Sequence, residues 1–214
     1  NMVAGNMLSL QKPAIYSTFV AGAFALCEPA LAQNARDLCA KASGDQAIAA
    51  CDKAIADNPK DADSYSNRGF SWSVKGDQDR AIADFNEALK INPKHVRALS
   101  NRGVAWNRKG DPDRAIADAT EAIKINKRHA KAYNNRAVAL IRKREYDKAI
   151  ADLNESIKLN PKDASAYFNR GNALEFKGSL SDALADFKKF VALSPNDPDG
   201  SRAVSRVEGR LKGQ

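Results

Sequence analysis

Four stretches of the chain, starting at Asp61, His95, His129 and Asp163, superimpose without a gap at a spacing of 34 residues. An alanine returns at one late position in each (Ala81, Ala115, Ala149, Ala183), and an aspartate follows it three residues on. An Asn-Arg pair returns early: Asn67 and Arg68, Asn101 and Arg102, Asn135 and Arg136, Asn169 and Arg170. A period of this length containing two amphipathic stretches indicates a helical solenoid, because one such unit cannot cover its own apolar face and must stack on the next.

The pattern inside one unit places both helices. Ala62, Tyr65, Gly69 and Trp72 recur at spacings of three and four, which puts them on one helical face, and Ala81, Phe85, Ala88 and Leu89 do the same further on. Between them Gly76 supplies the left-handed residue past the first helix, and Asp77 and Asp79 suit the positive end of the second. Pro93 stops that second helix. The same signals return at Gly110 with Asp111, Gly178 with Ser179, Pro161 and Pro195.

These residues, with a small side chain at the eighth position (Gly69, Gly103, Ala137, Gly171), make the chain resemble the tetratricopeptide repeat family from Ala62 to about Asn196. The resemblance implies an all-α, right-handed helical solenoid of stacked antiparallel helix pairs. Four full repeats are expected at 61–94, 95–128, 129–162 and 163–196, with a divergent hairpin at 33–60 and a capping helix at 197–214. Tyr65, Trp72, Leu99, Trp106, Tyr133, Leu140, Tyr167 and Leu174 are expected to fill the space between helices. Two departures, Arg144 with Glu145 in place of glycine and Lys127 in place of proline, are expected to loosen their turns.

Residues 1–32 have the layout of a secretory leader: Lys12, an apolar run from Ala14 to Leu26, then Ala30 and Ala32 as the small side chains a signal peptidase needs. The run is too short to cross a hydrocarbon core of roughly 30 Å. Cleavage after Ala32 would leave Gln33 first and place the protein in the periplasm or outside the cell. A retained N-terminal helix is the alternative, while Leu26 before Cys27 argues against lipid attachment. Cys39 and Cys51 remain, placed symmetrically about a turn at Ser43 to Gln46, and an oxidising compartment would join them as a staple of the first hairpin rather than a redox switch.

The hairpin symmetry also pairs each arginine with the aspartate sixteen residues later: Arg68 with Asp84, Arg102 with Asp118, Arg136 with Asp152, Arg170 with Asp186. The competing reading makes these arginines an anion-binding ladder.

For function, the resemblance implies a non-catalytic scaffold that binds a protein or peptide on the concave face lined by the first helices. Partner-binding candidates there are Asn67, Phe70, Arg97, Asn101, Arg108, Lys131, Asn134, Asn135, Arg142, Phe168, Asn169 and Asn172. The repeated asparagine either holds an extended backbone, since its amide donates and accepts together, or bonds its own neighbours. Arg97, Arg108, Lys131 and Arg142 favour an acidic peptide or a free carboxylate. The family's carboxylate clamp needs lysine and arginine where this chain has Ser66, Ser100, Asn134, Phe168 and asparagine, so that mode is not expected. His95 and His129 lack ligand-spaced companions and are expected to meet water rather than zinc. No nucleophile elbow or phosphate loop appears, so no cofactor, metal or catalytic residue is expected. A formal charge of +8 supports a second reading, an electrostatic binder of polysaccharide, lipid headgroups or nucleic acid. Aromatic content of 7% is too low for nucleic-acid stacking, and membrane contact would be peripheral at most.

Overall fold

The computed structural model of the chain describes residues 34–213; the expected leader and its cleavage point lie outside them. The described residues form helices α1 (34–41), α2 (Gly44–Asp57), α3 (Ala62–Val74), α4 (Gln78–Ile91), α5 (Val96–Lys109), α6 (Pro112–Ile125), α7 (Ala130–Arg142), α8 (Tyr146–Leu159), α9 (Ala164–Lys177), α10 (Leu180–Leu193) and α11 (Pro198–Lys212). From α2 onward each helix packs on the next in sequence. In addition α3 touches α5, α5 touches α7 and α7 touches α9, whereas α4, α6, α8 and α10 make no comparable contact with one another. Helices that approach on one side and splay on the other curve the stack, and α3, α5, α7 and α9 line its inner face.

Turn chemistry repeats faithfully. Gly76, Gly110 and Gly178 take φ of 91°, 83° and 91°, and the amides of Asp77, Asp111 and Ser179 close back on the carbonyls of Trp72, Trp106 and Leu174. At the third repeat Arg144 adopts φ 62°, and the Glu145 amide closes on Leu140 O at 2.9 Å. The substitution therefore leaves the turn's hydrogen bond intact and is carried instead as backbone strain at Arg144. Lys127 likewise leaves its turn unchanged. In every inter-repeat link an asparagine Oδ1 (Asn58, Asn92, Asn126, Asn160) accepts from the amide two residues on, at 3.2, 3.0, 2.9 and 3.4 Å. That Asx turn holds the link at Asn126 without proline.

The core is a series of small-against-large contacts. Phe85, Leu153 and Phe187 are fully buried, each four residues past the repeat alanine, and the eighth-position residue of the facing helix makes room for them. A Cβ added at Gly69 would meet the Phe85 ring at 2.9 Å, and one at Gly171 the Phe187 ring at 2.8 Å. At Gly103, opposite the smaller Ala119, the nearest atom would be Ala115 O at 3.3 Å. Leu99, Leu140 and Tyr167 are buried as expected, but Trp72 and Trp106 are only half-buried. Their exposed faces are covered by the Arg80 and Arg114 guanidiniums, 3.8 and 4.5 Å from the ring centroids.

At the N-terminal end the Sγ atoms of Cys39 and Cys51 stand 2.03 Å apart, joining α1 to α2. The turn between these helices is residues 42–43, with α2 beginning at Gly44, so it falls earlier than the stretch Ser43 to Gln46 expected from the sequence. At the other end α11 buries Ala203 and Val207 and lays Gly200 against Phe190.

Overpacking costs about 1–3 kcal/mol, against about 1 kcal/mol gained when alanine replaces glycine in a helix. Gly171→Ala should therefore lower the thermal midpoint followed by circular dichroism, while Gly103→Ala should leave it unchanged or raise it. Arg144→Gly should stabilise by about 0.5–1 kcal/mol by relieving the left-handed strain; an unchanged midpoint would show that the strain is absent.

Candidate functional site

The charged side chains sort into two sets, and the sorting defines the site. In the first set each repeat arginine acts as a fork. Nε and Nη2 of Arg68, Arg102, Arg136 and Arg170 donate to both oxygens of Asp84, Asp118, Asp152 and Asp186 at 2.6–2.8 Å. Nη1 reaches back to the preceding repeat, to Asp52, Asn86, Thr120 and Asn154. The expected pairs are present, and the second arm is the part the sequence reading missed. The residues sixteen positions before each arginine are of three different types, so only their shared ability to accept a hydrogen bond marked them. Hydrogen bonding to Asp84 raises the Arg68 pKa, and Asp152 and Asp186 do the same for Arg136 and Arg170. With all three nitrogens bonded within the chain and the charge matched by its own aspartate, these arginines serve the frame rather than an anion ladder.

A second, unexpected series runs along the edge where the first helix of each repeat ends, where Lys75, Lys109, Lys143 and Lys177 meet Asp45, Asp79, Asp113 and Asp147 of the preceding repeat. The signal was available, since both residues recur with the period. Water screens these exposed pairs, so they add little to stability. A hollow of about 690 Å³ beside Trp72, Lys75, Asp79, Arg80 and Lys109 belongs to this seam, where acids accompany the cations.

The inner face differs. Arg97 donates to Asn67 Oδ1 at 2.8 Å, and Arg108 donates to the Ser73 carbonyl at 2.7 Å and its hydroxyl at 3.0 Å. Lys131 and Arg142 are exposed. Among the described residues none of these four cations has a carboxylate within ion-pair distance. The two acids of this face are already held: Asp63 by His95 and Arg36, and Glu175 by Arg206 and Arg210 of α11 at 2.7 and 2.8 Å. The Arg206 hydrogen bond keeps the Glu175 carboxyl below its usual range.

The asparagines divide. Asn135 donates to Ser100, Asn169 to Asn134 Oδ1 at 2.9 Å and Asn134 to Ser165. Most of the series therefore ties neighbouring inner helices together. Asn101 and Asn172 make no side-chain hydrogen bond among the described residues and line two hollows. One hollow, about 450 Å³, is bounded by Phe70, Arg97, Asn101, His129 and Lys131; the other, about 590 Å³, by Val138, Ile141, Arg142, Asn172, Phe176 and Arg206. Phe70 and Phe176 are 53% and 63% exposed, and Phe176 stacks on Tyr146. Phe168 differs from its expected role: it is half-buried against Phe187 and Phe190, with centroids at 5.6 and 4.8 Å, because α10 offers it an aromatic bed. Ser66 and Ser100 are also buried.

The histidines are not equivalent. His95 is buried, accepts at Nδ1 from Ala98 N and places Nε2 3.1 Å from Asp63, so its partner is a carboxylate rather than water. The His129 side chain has no hydrogen-bond partner among the described residues, and burial first, then Lys131, lowers its pKa. No group of three or more potential metal ligands, and no helix long and apolar enough to cross a membrane, occurs among the described residues.

A stack of antiparallel helix pairs with a polar-apolar inner groove defines the class of helical-repeat interaction scaffolds. Sequence profiles described as tetratricopeptide repeat match residues 33–93, 73–130 and 108–157, and a second profile of that description matches 136–208, so the chain belongs to the tetratricopeptide repeat family. Similar solved structures include the MamA protein (23% identity, 80% of this chain and 96% of that one, TM-score 0.62). TTC0263, a thermophilic TPR protein of Thermus thermophilus, is 19% identical over 84% of this chain and 98% of its own, with a TM-score of 0.69. YrrB, a TPR protein with an unusual peptide-binding site, is 21% identical over 86% and 97%, with a TM-score of 0.64. No curated protein matches the chain.

Removing one partner of a largely buried ion pair costs about 3 kcal/mol. Asp118→Ala, which leaves Arg102 only Asn86, should lower the thermal midpoint clearly. Replacing both partners, Arg102→Met with Asp118→Leu, should recover part of that loss; equal melting of Asp118→Ala and wild type would remove the fork from the account of stability.

Proposed function

We propose that the inner face holds an extended, acidic segment of a partner protein and that the chain acts as a scaffold without a reaction of its own. One observation carries the reading: among the described residues Arg97, Arg108, Lys131 and Arg142 lack carboxylate partners, on a face where Phe70, Val74, Val104, Val138 and Phe176 supply apolar contact. An unneutralised cation beside apolar surface favours a ligand that brings its own charge. Structural likeness to a TPR protein with a peptide-binding site supports it, as does the generally non-catalytic character of the family.

A specific observation keeps the polyanion reading in view. Lys60, Lys94, Lys127, Arg128 and Lys162 form an exposed, unpaired row along the inter-repeat edge. Binding through that row would fall steeply with salt regardless of sequence. We further propose that the chain is exported, that its leader ends at Ala32, and that the Cys39–Cys51 bond is present in the native protein. Intact mass of the secreted form starting at Gln33 and two hydrogens lighter than its reduced form would support all three statements.

Fluorescence anisotropy with a labelled peptide alternating glutamate and leucine tests the groove. Arg142→Ala and Phe176→Ala should each weaken binding at least fivefold, and the double variant Lys94→Ala with Lys162→Ala should not. The opposite pattern would transfer the function to the edge.

A further inference from the structure

One column of the repeat changes from tryptophan to leucine halfway along the chain: Trp72 and Trp106, then Leu140 and Leu174. In the first two repeats the indole is half-buried and a guanidinium lies over its face, Arg80 at 3.8 Å and Arg114 at 4.5 Å from the ring centroid. An acid three residues before each arginine, Asp77 and Asp111, holds that cation in place. The third repeat keeps the surround and omits the ring. Lys148 stands where the arginines stand and is held by Glu145 at 2.6 Å, while Leu140 takes the place of the indole. The fourth repeat loses the cation as well, since Asp182 replaces it, and Leu174 joins the core capped by α11.

The space the missing ring would take is open. A hollow of about 520 Å³ lies between α6 and α8, over Leu140 of α7. It is on the outer side of the stack, where the second helices splay, and shares no residue with the two hollows of the inner face. Ile116, Leu140 and Ala151 give it an apolar wall. Its charges match one to one, Lys143 with Asp113, Lys148 with Glu145 and Arg136 with Asp152. A balanced rim gives a charged ligand no advantage, so the hollow selects for apolar area and for a π face beneath an ammonium. The chain's own side chains show what fits such walls, because Trp106 packs against the core that includes Ile82, the counterpart of Ile116.

We propose that this outer hollow receives an aromatic side chain, tryptophan foremost, from a partner polypeptide. The incoming ring would lie on Ile116 and Leu140 and under the Lys148 ammonium, as Trp72 and Trp106 lie under their guanidiniums. Asp113 and Lys148 on the rim are 75% and 73% exposed, so the hollow opens along the cleft between α6 and α8 and leaves room for the main chain that carries the ring. A free small molecule would need a more enclosed cavity to bury most of its surface. The site is separate from the inner face and stands whether or not that face binds an acidic segment.

Neutral N-acetyltryptophanamide and N-acetylleucinamide are titrated into the full chain, and the methyl resonances of Ile116, Leu140 and Ala151 are followed by nuclear magnetic resonance. The tryptophan amide should shift these methyls and the leucine amide should not; equal shifts, or none, would overturn the site. Leu140→Trp fills the hollow from within, so it should abolish binding while the thermal midpoint holds or rises, and binding retained in this variant would also overturn the site. Lys148→Ala changes an exposed side chain and leaves the core alone. It should weaken binding about threefold, the loss expected of one exposed cation–π contact, and an unchanged affinity would overturn the proposal even if Leu140→Trp failed to fold. A peptide with one tryptophan flanked by glycine and serine identifies the source of the ring. It should bind at least as tightly as the amide, whereas binding of the amide alone would overturn a polypeptide partner. Arg142→Ala and Phe176→Ala on the inner face should leave binding of this peptide unchanged, and a loss in either would place the tryptophan in the groove and overturn the outer site.

Discussion

Regularity in this solenoid depends on the three-armed arginine. A guanidinium is flat and its donors point in fixed directions, so when two arms grip an aspartate on the paired helix, the third has one direction left. That arm reaches an acceptor on the preceding repeat in all four cases. The angle within a repeat and the angle between repeats are thereby tied to one rigid group. Small-against-large packing at Gly69 with Phe85 and Gly171 with Phe187 sets how closely the helices approach; the forks set how they are turned.

The same economy explains why charge is uneven. Acids along the outer seam and in the forks are matched to cations of neighbouring repeats, and each match is repeated with the period. The inner face departs from this rule, because its cations rest on neutral acceptors such as Asn67 and Ser73. A cation bonded to a carbonyl keeps its charge available to a ligand, whereas one bonded to a carboxylate does not. The apolar side chains between these cations would gain by leaving water, but gain little from a neighbour within the chain. Together these properties separate a surface that serves the frame from one that serves a partner.

Much of the frame was legible because periodicity multiplies a weak signal. Ala81 alone says little, but its return at Ala115, Ala149 and Ala183 fixes the helix pair, and hairpin symmetry led to the arginine-aspartate pairs. What stayed hidden lacked that multiplication. The back-reaching arm ends on Asp52, Asn86, Thr120 or Asn154, and no single residue type holds all four places. Phe168 shares a column with Ser66 and Ser100, yet packs on Phe187 and Phe190, because which way a side chain at that position turns depends on what the paired helix offers. The asparagine column was legible as a column but not as a network, since whether an amide bonds inward or stays open depends on distances of a few tenths of an ångström.

Contacts that reach only the adjacent repeat make each 34-residue unit an interchangeable cassette. Removing residues 95–128 would bring Arg136 against Asn86, an acceptor that already serves Arg102, and the frame would close over the gap. The inner face would not be conserved by the same operation, because Asp63 would then stand one junction before His129 instead of before His95. Duplication or loss of units can therefore rewrite the order of charges a ligand meets while leaving the architecture untouched, which gives such a chain a route to new partners that needs no change in any buried residue.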